Sequence, residues 1–77
     1  MTRKQELALE VLAGVSKKDL GSLKAEQQLV ADLGLDSPKQ LQLLADMEDK
    51  LQIEIGDEDA ARMNTVGDIL NFVGTKG

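Results

Sequence analysis

Residues 36–51 constrain this chain more than any other segment: an Asp-Ser-Pro start is followed by leucines and a methionine at helical spacing. Asp36 or Ser37 can cap a helix there, because a side-chain oxygen at the cap accepts from the unpaired N–H groups of the first turn. Pro38 belongs in that turn, where the N–H it lacks would have had no intrahelical partner. Leu41, Leu44, Met47 and Leu51, with the adjacent Leu43, then give an apolar stripe about four turns long, which has to be covered by other apolar faces.

The covering faces are legible in outline. Leu7, Ala8, Val11 and Leu12 recur at the spacing of an amphipathic first helix, with Gly14 near its end. The next twenty residues scatter Val15, Leu20, Leu23, Leu29, Val30, Leu33 and Leu35 without sustained periodicity, which predicts a long loop with at most a short turn of helix. Long loops in compact domains are uncommon and often functional. Leu51-Gln52-Ile53-Glu54-Ile55 alternates like a strand but has no pairing partner, so it reads as a helix end and an extended connection. After Gly56, the run Asp57-Glu58-Asp59-Ala60-Ala61-Arg62 has acids first and a base last, the order a helix dipole favours. Thr65-Val66-Gly67-Asp68 resembles a capping box, and Val66, Ile69, Leu70 and Val73 follow helical spacing for two to three turns. The expectation is all-α: a small four-helix bundle, three longer helices and one short, with a long loop between the first two. Phe72, the one aromatic, reads as a core plug or a partly exposed anchor.

A chain of 77 residues is read as one domain, 1–77. A domain that small buries only about 60% of its unfolded surface, so its apolar residues are needed for one core and a monomer is expected. With no cysteine, neither disulfides nor thiolate metal ligation can help, and with no histidine the commonest general base is missing. The N-terminus has no apolar run behind Arg3 and Lys4, and no stretch approaches the roughly 18 apolar residues of a membrane span. A cytoplasmic location and no membrane insertion follow as expectations.

The net charge of −5 is unevenly spread. Residues 32–59 hold nine acids and two bases, while the flanking segments are each positive by one. Such a middle segment repels a phosphate backbone and attracts a basic protein surface, which argues against nucleic acid and for basic partners. On charge alone, a solubilising face is the favoured reading of the same acids.

Enzyme chemistry fails on inventory, because a nucleophilic serine needs a base within reach and no histidine is available. Asp57 and Asp59 lack the alternating acids and distant Glu of a calcium loop, and no resident metal site is expected. Ser37 stands apart by its surroundings, at the junction of the glycine-containing loop Leu29-Val30-Ala31-Asp32-Leu33-Gly34-Leu35-Asp36 and a helix start. Its hydroxyl is expected to be accessible, and a helix N-terminus suits a phosphodiester. A plain N-cap serine explains the same local pattern.

Across its whole length the sequence resembles the acyl carrier protein family. Asp32-Leu33-Gly34-Leu35-Asp36-Ser37 is similar to the family's prosthetic-group attachment motif. Ala13-Gly14-Val15, Met47-Glu48-Asp49-Lys50-Leu51, Ile53-Glu54-Ile55, Asp57-Glu58-Asp59-Ala60 and Thr65-Val66-Gly67-Asp68 fall at the family's spacing. The resemblance implies that a phosphopantetheinyl transferase, using magnesium, moves 4′-phosphopantetheine from coenzyme A to the Ser37 hydroxyl. Partner enzymes with basic docking surfaces then load, elongate or transfer acyl groups held as thioesters on that arm. By the same resemblance Asp36 helps coordinate the transferase's magnesium, and Leu41, Leu44, Met47, Ile55, Ala60 and Ile69 line the space that shelters an acyl chain. Ordinary core packing explains those six residues as well.

After the serine the family usually has a hydrophobic residue such as Leu, then an acid, and a Glu three residues later, where this chain has Pro38, Lys39 and Gln42. Those are recognition positions, and charge there governs association rate and partner choice. The expected partners are enzymes of fatty-acid, lipid or lipopolysaccharide, or secondary-metabolite synthesis, and the departures suggest a specialised carrier that docks less well to the usual fatty-acid synthesis enzymes. Asp46, Glu48, Asp49, Asp57, Glu58 and Asp59 would then remain for dedicated partners. A peptidyl or aminoacyl carrier with the same arm is a second reading, an acidic helical interaction module a third, and the Ser-Pro pair could also accept a phosphate.

Overall fold

The computed structural model describes residues 1–76, and these form α1 (Arg3–Ser16), a 3₁₀ turn (Leu20–Ser22), α2 (Ser37–Leu51), α3 (Asp57–Ala61) and α4 (Val66–Lys76). The four helices, one of them short, and the long first connection match the sequence expectation.

The first helix is longer than its apolar stripe. Thr2 Oγ1 accepts from the Gln5 N–H at 3.1 Å and Gln5 Oε1 accepts from the Thr2 N–H at 2.8 Å, so a capping box starts α1 well ahead of Leu7. The same Gln5 side chain donates from Nε2 to the Leu70 carbonyl at 2.9 Å, fastening the start of α1 to α4. Ala8, Val11, Leu12 and Val15 are buried at helical spacing, and α1 stops at Lys17, which takes the left-handed conformation at φ 58°.

Along α2 the buried residues are Leu43, Met47 and Leu51. This corrects the stripe read from sequence: Leu44 is half-buried and Leu41 is 68% exposed. At 3.6 residues per turn Leu41 lies about 200° round the helix from Leu43, so the two cannot share a face. The core is completed by Leu29, Leu33 and Leu35 from the long loop and by Met63, Val66, Ile69 and Val73, with Phe72 half-buried against it. All the buried side chains among the described residues are apolar.

The long loop is held in place by backbone pairing with the α3–α4 connection. The Leu29 N–H donates to Asn64 O at 2.9 Å, the Val66 N–H to Gln27 O at 3.0 Å and the Gly67 N–H to Ala25 O at 2.9 Å, around an isolated antiparallel bridge between Gln28 and Thr65. Gly67 permits that approach: a Cβ there would lie 3.1 Å from the Ala25 carbonyl oxygen. On the other strand of this contact, Thr65 and Asp68 form the capping box that starts α4, with Asp68 Oδ2 accepting from Thr65 N–H and Thr65 Oγ1 from Asp68 N–H, both at 3.1 Å. With Leu29, Leu33 and Leu35 buried, the loop has little freedom in where it delivers residue 36.

Candidate functional site

The loop's last turn sets the site. Leu35 N–H donates to Leu29 O at 3.0 Å and Gly34 N–H to Val30 O at 3.0 Å, with Gly34 in the left-handed region at φ 67° that a side-chain-free residue adopts without strain. The chain then turns out from buried Leu35 to exposed Asp36, Ser37 and Pro38.

The choice of cap is resolved in favour of Asp36. Its Oδ1 accepts from the Lys39 N–H at 3.1 Å and its carbonyl from the Gln40 N–H at 2.9 Å. Pro38 has no N–H to satisfy. Ser37 is therefore the first residue of α2 rather than its cap, and its hydroxyl is exposed and makes no hydrogen bond among the described residues. A side chain with no packing or capping duty at a helix N-terminus, open to solvent on all its flanking residues, fits a bulky anionic substituent: the phosphodiester of a phosphopantetheine arm needs the room and gains from the helix's positive end.

The other residues singled out from sequence divide between two faces of α2. Gln42, Asp46 and Asp49, spaced four and three apart, border an open groove of about 300 Å³ between α1 and α2, together with Glu10 and Lys50. Lys39 is half-buried. Glu48 lies on the other side, and its Oε2 accepts from the Ile55 N–H at 2.9 Å, pinning the connection to α3. On α3, Asp57 and Glu58 are exposed, while Asp59 Oδ2 accepts from the Gly56 N–H at 3.3 Å. Glu48 therefore has a structural duty that sequence reasoning missed, because its partner is a backbone group seven residues on. Glu48→Ala should lower stability by about 1–2 kcal/mol, while Glu48→Gln, which keeps an acceptor, should retain most of it. Urea unfolding midpoints check this, and equal losses in the two variants would contradict it.

A small cavity lies among α2, α3, α4 and the loop, with a volume of about 20 Å³. Of the six residues expected around an acyl chain, Leu44, Ala60 and Ile69 line it. Leu41 does not, for the angular reason given above; Met47 is wholly buried in the core and Ile55 is half-buried in the α2–α3 connection. The remaining lining comes from Leu29, Leu43, Met63 and Gln40. Gln40 was not singled out from the sequence, and only its place one turn after Ser37 on the helix's inner side could have marked it.

Comparison with known proteins finds relatives along nearly the whole chain. The family described as the phosphopantetheine attachment site matches residues 6–73. An acyl carrier protein from Exiguobacterium sp. AT1b is 37% identical over 76 residues, covering 95% of this chain and 96% of that one. An acyl carrier protein from Exiguobacterium sibiricum is 33% identical over 78 residues, with 99% of both chains covered. Among solved structures, a Mycobacterium tuberculosis protein assigned as an acyl carrier protein superposes with a TM-score of 0.87 at 34% identity, covering 96% of this chain and 99% of that one.

Proposed function

We propose that this chain, which belongs to the acyl carrier protein family, holds its 4′-phosphopantetheine on the Ser37 hydroxyl and hands acyl groups between partner enzymes. The observation that carries the proposal is the state of that hydroxyl: exposed, unbonded and relieved of capping by Asp36. When bound, the arm supplies a terminal thiol for thioester formation, and a chain without cysteine has no competing thiol of its own. Asp36 is proposed to serve twice, holding the first turn of α2 through Oδ1 and offering its other oxygen to the transferase's magnesium. Leu44, Ala60 and Ile69, with the rest of the cavity wall, are proposed to shelter the acyl chain once the cavity widens.

Charge supports partners with basic docking surfaces, the phosphopantetheinyl transferase and the enzymes that load or elongate the cargo among them. The acids available to them are Asp46 and Asp49 beside the α1–α2 groove and Asp57 and Glu58 on α3. Pro38 next to Ser37 and Gln42 further along α2 are exposed and Lys39 is half-buried, and the first turns of α2 offer a partner no acid after Asp36 until Asp46. This favours a specialised carrier, serving fatty-acid, lipid, lipopolysaccharide or secondary-metabolite synthesis; we propose separately that it works as a cytoplasmic monomer.

Two measurements test these readings. Incubated with an acyl-coenzyme A, magnesium and a transferase, the chain should gain the mass of an acylated arm, and hydroxylamine should then remove the acyl part alone; no gain in mass contradicts the carrier reading. For partner choice, a Lys39→Asp, Gln42→Glu double variant should be loaded and elongated faster than wild type by housekeeping fatty-acid synthesis enzymes, and equal rates contradict specialisation.

A further inference from the structure

The groove between α1 and α2 holds a glycine that nothing within the chain accounts for. Gly14 lies inside α1, is exposed and has no positive φ, and a Cβ built on it would meet nothing within 4 Å. Neither backbone conformation nor a close neighbour requires it, in contrast to Gly34 and Gly67. At an exposed position inside a helix, alanine is the more stable choice. What the missing side chain does is leave the groove floor open beside Val11 and Val15, in a space of about 300 Å³.

The walls of that groove carry unrelieved charge. Glu10 comes from α1 and Asp46 and Asp49 from α2, so carboxylates line it from both sides. The Asp46 and Asp49 carboxylates take no hydrogen bond or ion pair among the described residues, and Glu10 meets only Arg3, at 3.8 Å with both side chains more than half exposed, a weak pair. Lys50 borders the groove without pairing; three carboxylates against its one ammonium leave a net charge of −2. The occupant that matches both this charge and the apolar floor is an arginine side chain. Its stem is apolar, and its planar guanidinium presents donors in several directions, enough to bond both walls at once, where a lysine ammonium is a smaller and more strongly hydrated charge. At about 100° and about 1.5 Å per residue, Gln42, Asp46 and Asp49 lie about 120–180° round α2 from Ser37, and the two acids about 14 and 18 Å further along its axis. A segment seated in the groove therefore leaves Ser37 uncovered.

We infer that the α1–α2 groove is a holding site for a partner protein, which lays an arginine over Gly14 between Glu10 and the Asp46–Asp49 pair and leaves Ser37 and the acids of α3 open to a second protein at the same time. The inference goes beyond the carrier reading and does not depend on where the arm is attached. The experiment titrates the isotope-labelled chain with Nα-acetyl-arginine amide, or with Nα-acetyl-lysine amide at equal ionic strength, and follows the backbone amide resonances by NMR. The arginine amide should shift Val11, Gly14, Val15, Asp46 and Asp49 along saturating curves while Ser37, Asp57 and Glu58 stay in place. It should saturate at about five-fold lower concentration than the lysine amide, the effect of about one further hydrogen bond. Gly14→Leu keeps every charge, favours the helix and fills the floor, and should abolish the preference for arginine. Glu10→Gln should raise the saturating concentration about three-fold, an effect that binding to α2 alone would not show. Equal curves for the two amides overturn the inference, as do shifts of the same size at Ser37, Asp57 and Glu58, or a Gly14→Leu or Glu10→Gln variant that binds as wild type does.

Discussion

Ser37→Ala should abolish the mass gain from coenzyme A and transferase while leaving the fold untouched. The two halves of that expectation come from the same geometry. Loss of the hydroxyl removes the only atom of residue 37 that can form the phosphoester, so the change in loading is complete rather than graded. The fold survives because Asp36, not Ser37, satisfies the first-turn N–H groups, and because residue 37 is exposed and unbonded. Exposed substitutions away from caps and cores stay within about 0.5 kcal/mol, and alanine is the better helix former. Intact mass and a thermal melt by circular dichroism check both halves. Residual loading would place the arm elsewhere, and a large loss of stability would mean that Ser37 has a packing or capping role.

Leu43→Ala and Leu41→Ala, two positions apart on α2, should differ more than any other pair of like substitutions in this helix. Leu43 is 1% exposed at the meeting of core and cavity, so truncating it removes buried contacts and leaves a void, at a cost of about 2–5 kcal/mol. A chain of 77 residues has about 4–12 kcal/mol in total, so this variant sits near the edge of folding. Its melting temperature should fall by about 10 °C or more, since each kcal/mol moves a domain of this size by about 4–8 °C. Leu41, 68% exposed, should move stability by no more than about 0.5 kcal/mol. Comparable losses in the two variants would contradict the orientation of α2.

That pair also marks where sequence reasoning stopped. Three leucines within four positions, 41, 43 and 44, allow two overlapping stripes, and spacing alone cannot choose between Leu41-Leu44-Met47 and Leu43-Met47-Leu51. Packing chooses the second. The start of α2 was legible because Asp36, Ser37 and Pro38 are each restricted by local hydrogen bonding or ring geometry. The start of α1 was legible only in part, since Thr2 and Gln5 are polar and contribute nothing to apolar periodicity. The path of the long loop was not legible: beside its internal turns, the hydrogen bonds that fix it in place run to Asn64, Val66 and Gly67, some forty residues away.

The same distinction holds for the site. Ser37 was accessible to sequence reasoning because its exposure follows from its place between a glycine-containing loop and a helix. The acids were legible as charge but not as duty, for Glu48 and Asp59 hold backbone N–H groups while Asp46, Asp49, Asp57 and Glu58 have no such bond to side-chain oxygens among the described residues. Gln40 was hidden by its type, since a glutamine in a helix is usually a solvated one.

The most direct test of the account is to digest the chain after treatment with coenzyme A, magnesium and transferase and to locate the modification by fragment masses. The account predicts phosphopantetheine on the peptide containing residues 35–39, at Ser37 alone; an arm on Ser16, Ser22 or another hydroxyl, or a residue 37 that stays bare under a competent transferase, would contradict it.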